Sequence, residues 1–111
     1  MKNKKPLLFR QGDILVERIA ALPSALKPIA RESGRVVLAH GEITGHHHSF
    51  TDEHVSLFET AAEAGVTFLE VRNAMAALTH QEHATIEVPP GNYRVTRQRE
   101  YSPEAIRNVQ D

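Results

Sequence analysis

The sequence predicts a small all-β protein, an antiparallel β-barrel or β-sandwich with a short C-terminal helix. Apolar and polar residues alternate with a period of two rather than 3.6 along most of the chain, as expected for half-buried strands. The alternating segments are short, and turns containing Gly or Pro separate them. A chain of 111 residues forms one domain of this kind and buries a core without disulfides or a structural metal. We therefore predict a single β-rich domain over residues 1–111.

Eight strands are predicted in order along the chain. Each is a run of branched, apolar or aromatic residues between turn signals, and together they cover residues 13–19, 35–40, 44–50, 55–59, 66–71, 74–79, 84–88 and 92–101. The sixth strand is ambiguous because Ala and Met favour helix, but the distance between Asn73 and His80 is too short for a stable helix.

The segments between these strands are predicted to be loops and turns. Pro23 and Pro28 bracket a loop with at most one helical turn, and residues 60–65 suit either a hairpin loop or a helical turn. After the last strand, an N-cap at Ser102 followed by Pro103 at the first helical position predicts the short C-terminal helix.

Composition excludes several classes of function. The formal net charge of −1 and the charged fraction of 24% argue against a protein dedicated to coating DNA. Because the chain has no cysteine, disulfide frameworks, thiolate zinc sites and cysteine nucleophiles are all excluded. The basic N-terminus is followed by too few apolar residues for a signal peptide, and no segment approaches the ~20 apolar residues of a membrane span. We predict a cytoplasmic protein with no membrane partner.

Histidine is the residue type that points most directly to a function. The chain has 7 His, of which His46, His47 and His48 are consecutive, while His80 and His83 form a second group. Neutral imidazole is the commonest protein ligand of metals. Alternation along a strand places His46 and His48 on one face and His47 on the other, so the first two can reach one divalent transition metal ion.

A third ligand would have to come from another strand. His80 and His83 are the histidine candidates, and Glu42 and Glu53 are carboxylate alternatives. Three protein ligands with open positions form a site that binds water or substrate. Gly41 and Gly45 predict a bend or bulge ahead of the histidine run, and His40 and His54 are expected to be structural or exposed. The alternative is a solvent-facing histidine run that binds metal only adventitiously.

The last predicted strand carries a second candidate surface. One face would present Tyr93, Val95, Arg97, Arg99 and Tyr101. Guanidinium groups suit carboxylate or phosphate ligands, and tyrosines stack on bases, so Arg97, Arg99 and Tyr101 are candidate substrate-binding residues. The alternative is a solvated edge strand protected by its charges. Glu100, on the other face, would serve as a general base or a metal ligand, or pair with a neighbouring arginine.

Part of the chain resembles cupins. Their two conserved motifs are matched, in order, by Gly41, the His46-x-His48 pair, Glu53 and the segment Ile86-Glu87-Val88-Pro89-Pro90-Gly91. The resemblance implies a double-stranded β-helix that holds Zn, Fe, Mn or Ni. By position, the His pair matches the family's own pair and Glu53 matches its acidic ligand. Arg94 occupies the place of the family's last histidine, so His83 would have to replace that ligand.

A second resemblance is to small bacterial and phage proteins. These share a Gly-Glu-x-Thr-Gly-His-x-His segment and an Arg-Gln-Arg-Glu-Tyr segment with this chain, and the likeness implies no activity.

Three hypotheses from different classes follow. The first is a metal-dependent enzyme or sensor that takes a small anionic substrate, held by Arg97 or Arg99, with Glu42 and Glu100 as candidate catalytic carboxylates. The second is a non-enzymatic module of phage or mobile-element type that binds a protein or nucleic acid through the arginine strand, although the near-neutral charge disfavours nucleic acid. A homo-oligomer that pairs through exposed strand edges is a third.

Overall fold

The computed structural model of the chain describes residues 7–41 and 43–98, and over these ranges the fold is all-β and antiparallel, with no helix. Its ten strands are β1 (Leu8–Gln11), β2 (Ile14–Ile19), β3 (Lys27–Pro28), β4 (Val36–His40), β5 (His47–Phe50), β6 (Val55–Glu59), β7 (Val66–Val71), β8 (Ala76–Leu78), β9 (Ile86–Val88) and β10 (Gly91–Arg97). The predictions at 55–59 and 66–71 match β6 and β7 residue for residue. The ambiguous segment at 74–79 contains a strand, β8, as predicted.

Six strands form the main sheet, in the order β1-β2-β10-β7-β6-β3. β4 pairs with β5 and β8 pairs with β9 in two small sheets. An isolated bridge joins the small sheets, because the Ser49 N–H donates to the Thr79 carbonyl at 3.0 Å and the Thr79 N–H donates back at 2.9 Å. Strands β4, β5, β8 and β9 therefore lie side by side.

One hydrophobic core joins the main sheet to the small sheets. In β6, for example, Val55 and Leu57 are buried while the residues between and after them are more exposed, which is the alternation read from the sequence. The buried members of the core are Ile14, Val16, Val36, Phe50, Val55, Leu57, Leu69, Val71, Ala76, Leu78, Val88, Tyr93 and Val95. Because these residues come from all three sheets, the core lies between them, and burial of their apolar surface stabilises the arrangement.

Two expectations about the strands are wrong, and of the two predicted architectures the barrel is not formed by the described residues. The strands described here do not close into a barrel, because the main sheet ends at β1 and β3. β1 was not expected, since Arg10 and Gln11 interrupt its apolar residues, but an edge strand tolerates polar residues. Lys27 and Pro28, expected in a loop, form the two-residue edge strand β3.

The arginine strand is also placed differently from the prediction. β10 is not an edge strand, because it pairs with β2 on one side and with β7 on the other. Tyr93 and Val95, expected on a ligand-binding face, are 0% and 3% exposed. Tyr93 instead packs in the core and donates its hydroxyl to the Pro89 carbonyl at 2.6 Å. The predicted C-terminal helix lies outside the described residues.

No helix that could cross a membrane is found within residues 7–41 and 43–98.

Candidate metal centre

The four histidines predicted as metal ligands meet in one pocket. The β1–β2 turn, the β4–β5 hairpin and the segment between β8 and β9 converge there around a pocket of about 250 Å³. The pocket is lined by Asp13, Gly41, Ile43, His46, His48, His80, Glu82, His83 and Arg97. Both histidine groups of the sequence therefore face a single space, which we call the histidine pocket.

The imidazole rings in this pocket contact one another. The ring centroids of His48 and His80 are 4.3 Å apart, and those of His80 and His83 are 4.6 Å apart. His46 lies 5.7 Å from His80, and His48 lies 5.9 Å from His83, again between centroids. Protonating several rings at once would bring like charges together at these distances. Neutral imidazole is the form that binds metals.

Strand alternation separates the consecutive histidines as predicted. His46 and His48 both contact His80 in the pocket. His47 points to the other face of β5, where its Nδ1 lies 2.9 Å from the Ser49 hydroxyl. The backbone N–H of His47 donates to the side-chain oxygen of Gln81 at 2.8 Å, so the second histidine segment is attached directly to the first.

The β4–β5 hairpin bends ahead of the histidines, as the two glycines predict. Gly45 has a φ of +88°, which glycine adopts without steric cost. The Gly41 N–H donates to the His46 carbonyl at 2.8 Å, and a Cβ at Gly41 would lie 3.3 Å from the His46 Cβ. In addition, the β4–β5 register shifts between Val37 and Ala39, which is a bulge of the kind found beside functional sites.

A buried glutamine fixes the hydrogen on His48. Gln11, 3% exposed, donates both hydrogens of its amide nitrogen, to the Leu78 and Ala84 carbonyls, each at 2.9 Å. Its oxygen therefore faces His48 Nδ1, 2.8 Å away, and accepts the hydrogen of that nitrogen. The Nε2 of His48 is then left with its lone pair toward the pocket. A hydrogen bond of this type orients metal-binding histidines in general.

His48 stays neutral over a wide pH range. The ring is 3% exposed, and burial, followed by the proximity of His80, lowers the pKa of His48 to about 4. Burial and the neighbouring His83 also lower the pKa of His80. His48 therefore remains unprotonated below the ordinary titration range of histidine, and the pKa of His80 is shifted in the same direction.

A carboxylate lies beside His48. Asp13 Oδ1 is 3.8 Å from His48 Nε2, while Asp13 Oδ2 accepts from Arg97 Nε at 2.8 Å. Burial alone would raise the pKa of Asp13, but the hydrogen bond and charge of Arg97 hold it below the ordinary value. Arg97 also donates to the His40 carbonyl at 2.9 Å. Asp13 is thus ionised and held in position at the edge of the pocket.

The second histidine group lies in a turn between β8 and β9. The Glu82 N–H donates to His80 Nδ1 at 3.0 Å, so the neutral His80 ring carries its hydrogen on Nε2. Binding a metal through that nitrogen would require the hydrogen to move and the Glu82 bond to break. His83 is exposed, and its Nε2 lies close to Gly12, where an added Cβ would be 2.9 Å away.

The donor atoms do not point to one common centre as they stand. Among the described residues, no group of three or more His, Asp or Glu side chains is arranged to hold a metal ion. Binding would therefore require side chains of the pocket to rotate. Those of the exposed turn can do so at the lowest cost, because fewer packed neighbours hold them.

The remaining predicted site residues lie elsewhere or cannot be placed. Glu53 is in the turn after β5 and does not line the histidine pocket. His40 and His54 lie outside it too and bind Glu32 and the Met75 carbonyl. Glu42, Arg99, Glu100 and Tyr101 lie outside the described residues. Of the predicted substrate-binding residues, only Arg97 is seen at the pocket.

Two residues of this site were not predicted from the sequence. Gln11 and Asp13 flank the β1–β2 turn, far from either histidine group along the chain. Their polar side chains look like ordinary turn residues in the sequence. Gln11 carries a weak signal. If β1 pairs with β2, Gln11 lies opposite Ile14, which is buried, so this polar side chain is expected to be buried as well.

A second, larger cavity adjoins the histidine pocket. It measures about 520 Å³, within the size range of small-molecule sites. Its floor and walls include Ile14, Leu38, Ala39, Val66, Thr67, Val95, Thr96 and Arg97, with Glu59 and Glu63 on the β6–β7 side. Arg97 lines both cavities. The two spaces are therefore neighbours that share Arg97 in their walls.

Comparison with known proteins yields one match. A family model described as a domain of unknown function, DUF8820, matches residues 10–98. No curated protein and no solved structure matches. The matched range includes both histidine groups, Gln11, Asp13 and Arg97.

Proposed function

This chain belongs to the DUF8820 family, and we propose that it binds one divalent transition metal ion in the histidine pocket. The observation that carries the proposal is the convergence of His46, His48, His80 and His83 from two separate segments, with ring centroids 4.3–5.9 Å apart in the contacting pairs. Imidazole suits Zn, Fe and Ni, and oxygen ligands suit Mn. Four histidines have no structural need to share one pocket, since their mutual packing contributes little apolar burial.

The support for His48 is the strongest. Its Nε2 lone pair is oriented by Gln11, and its low pKa keeps the ring unprotonated at neutral pH. His46 and His83 border the same space, whereas His80 must exchange a hydrogen bond before it can bind. The proposed ion therefore binds His48 first, with further ligands recruited from its neighbours.

An enzymatic role is the extension of this proposal. A bound ion supplies Lewis acidity that polarises a substrate oxygen or activates water. The adjoining cavity of about 520 Å³ offers space for a small substrate, and Arg97 lines both this cavity and the histidine pocket. Hydrolysis, isomerisation and oxygen chemistry are all compatible with this arrangement.

The alternative, a nucleic-acid or protein-binding module, gains no support from the described part of the arginine strand. Arg97 is bonded to Asp13 and to the His40 carbonyl, and Arg94 pairs with Glu63 at 3.0 Å. Tyr93 is buried. The cupin resemblance stays a prediction, and Glu53 does not line the pocket that would hold the cupin metal.

The test is the metal content of the untagged protein. Protein purified without added metal, and again after reconstitution with Zn²⁺, Fe²⁺, Mn²⁺ or Ni²⁺, is measured by elemental mass spectrometry. We expect about one equivalent per chain, lost in the double variant His46→Ala/His48→Ala. The double variant His40→Ala/His54→Ala removes two histidines outside the pocket and should keep the ion. Unchanged metal content in the first variant, or no metal in the natural protein after reconstitution, overturns the proposal.

A further inference from the structure

We infer that Asp13 is a metal ligand, so that the histidine pocket is a mixed site in which a carboxylate binds the ion together with His48 and His83. The inference rests on the proposed function and adds to it a ligand that no histidine motif predicts. Its basis is the geometry of the β1–β2 turn against β5 and against the turn between β8 and β9.

The distance between Asp13 and His48 suits a shared ion. Asp13 Oδ1 and His48 Nε2 are 3.8 Å apart, too far for a good hydrogen bond. Two donors that each bind one ion at 2.0–2.2 Å are separated by at most about 4.3 Å. The observed spacing falls within this limit and corresponds to an angle at the ion of about 130°. A small rotation of Asp13 would bring the angle to tetrahedral.

Each of the two donor side chains is hydrogen bonded to another side chain through the atom that does not face the ion. Gln11 accepts the Nδ1 hydrogen of His48, and Arg97 donates to the other oxygen of Asp13. Metal ligands are commonly held in this way by outer hydrogen bonds that set their orientation. The two outer bonds leave Nε2 of His48 and Oδ1 of Asp13 as the atoms that face each other. Two of the proposed ligands are therefore already oriented by hydrogen bonds within the protein.

His83 is the best placed third ligand. Its ring lies 5.9 Å from that of His48, with an angle of 18° between the ring planes. Its Nε2 lies against Gly12, the residue before Asp13, so it is on the same side of the pocket as the carboxylate. Two histidines and one carboxylate with open positions form a set suited to Fe(II). Such a set also accommodates Zn²⁺.

The other carboxylate of the pocket provides a matched control. Glu82 lies 3.7 Å from His46 Nδ1 and is exposed, its side chain being 60% accessible to solvent. It has the same charge and lines the same pocket. Within the described residues, its carboxylate has no side-chain partner other than His46. Comparing Asp13 with Glu82 separates a direct ligand from a negative charge that merely attracts cations.

The experiment uses Co²⁺ as the probe and cysteine as the reporter. The chain has no cysteine, so Asp13→Cys introduces a single thiol. If residue 13 binds the ion, Co²⁺ addition produces a sulfur-to-cobalt charge-transfer band in the near ultraviolet. Glu82→Cys should bind Co²⁺ without that band. In parallel, Asp13→Asn should weaken Co²⁺ binding by about tenfold or more, and Glu82→Gln by less than about threefold.

The outcomes separate this inference from the proposed function. Co²⁺ binding by the natural protein and by Asp13→Cys, without the band, overturns the assignment of Asp13 but leaves the metal site. Unchanged Co²⁺ affinity in Asp13→Asn, or a charge-transfer band from Glu82→Cys, also overturns the assignment of Asp13 and leaves the metal site. Failure of the natural protein to bind Co²⁺ overturns both. The band is independent of affinity, so loss of the Asp13–Arg97 pair does not confuse the result.

Discussion

The two histidine segments that meet in the pocket differ in how firmly the fold holds them. His48 belongs to strand β5, is 3% exposed and hydrogen bonds to a glutamine that is also 3% exposed. His83 belongs to a turn and is exposed. The contrast extends to the supporting glutamines, because Gln11 is buried whereas Gln81, which accepts from the His47 N–H, is exposed.

This difference indicates a division of roles between the segments. A donor fixed in a strand defines where an ion binds, since its orientation is set before the ion arrives. In the proposed site, donors on the exposed turn would adjust to the ion and complete its coordination. On the buried side of the site, Gln11 and His48 satisfy one another, and Gln11 also bonds to two backbone carbonyls. Three experiments test the contrast, in order of decreasing effect.

The largest expected effect is the response of the strand-held histidine to acid. The pKa of His48 is lowered to about 4 in the folded protein, against about 6.5 in the unfolded chain. Between these values the unfolded chain binds a proton that the folded protein does not, so stability is full above pH 6.5 and falls as the pH drops toward 4. The expected loss from His48 is about 3 kcal/mol.

The measurement is urea unfolding from pH 4 to 7.5 in the presence of a chelator. His48→Asn keeps a side-chain N–H for Gln11 but does not titrate, and it should remove most of the pH dependence in that range. His54→Asn, which changes a histidine outside the pocket, should keep it. Equal pH dependence in the natural protein and His48→Asn would show that His48 is not the group responsible.

The next largest effect is the difference in stability loss between substitutions of the two glutamines, Gln11 and Gln81. Gln11→Leu deprives the His48 Nδ1–H of its acceptor and the Leu78 and Ala84 carbonyls of a donor, and all three of these bonds lie in buried or partly buried surroundings. We expect a loss of about 2 kcal/mol in the free energy of unfolding. Gln81→Leu removes a partner of an exposed turn and should cost about 0.5 kcal/mol or less. Losses of equal size, measured by urea unfolding, would contradict the division between a fixed and an adjustable segment.

The fold could be predicted from the sequence wherever alternation was strong. β6 and β7 have buried residues at every second position or nearly so, and their limits were predicted correctly. β1 and β3 could not be predicted, because edge strands are short and partly polar, and their pairing depends on a neighbour that the local sequence does not identify. The position of β10 in the middle of the sheet was missed for a related reason. Its arginines at Arg94 and Arg97 suggested an edge, but they pair with Glu63 and Asp13.

The histidine pocket was predictable in part. Alternation in β5 separated His47 from its neighbours, and the second histidine group was expected to approach His46 and His48. Gln11 and Asp13 were not expected, because their role depends on the turn between β1 and β2 packing against β5. That contact is long-range, and neither side chain belongs to a motif. Residues that support a site from another strand are therefore the part that sequence patterns reveal least.

The smallest effect concerns the turn that carries Asp13. Gly12 and Gly34 both have positive φ, +61° and +80°, so replacing either with Ala costs about 1 kcal/mol of backbone strain. A Cβ at Gly12 would also lie 2.9 Å from His83 Nε2, whereas one at Gly34 would meet nothing within 4 Å. His83 is exposed and can turn aside, and the 3.3 Å approach of the same Cβ to His48 Cε1 requires a shift of only a few tenths of an ångström. The additional loss of stability in Gly12→Ala should therefore be about 0.5 kcal/mol.

Gly12→Ala should change the affinity for Co²⁺ more clearly than it changes the free energy of unfolding. Because the displaced group is a proposed ligand beside Asp13, Gly12→Ala should weaken Co²⁺ binding several-fold, while Gly34→Ala leaves it unchanged. The comparison requires only thermal or urea unfolding and a Co²⁺ titration of both variants. If Gly12→Ala binds Co²⁺ as tightly as Gly34→Ala, His83 tolerates displacement from Gly12. The exposed turn would then accommodate the displaced His83 without loss of Co²⁺ binding. In that case His46 would become the better candidate for the third ligand.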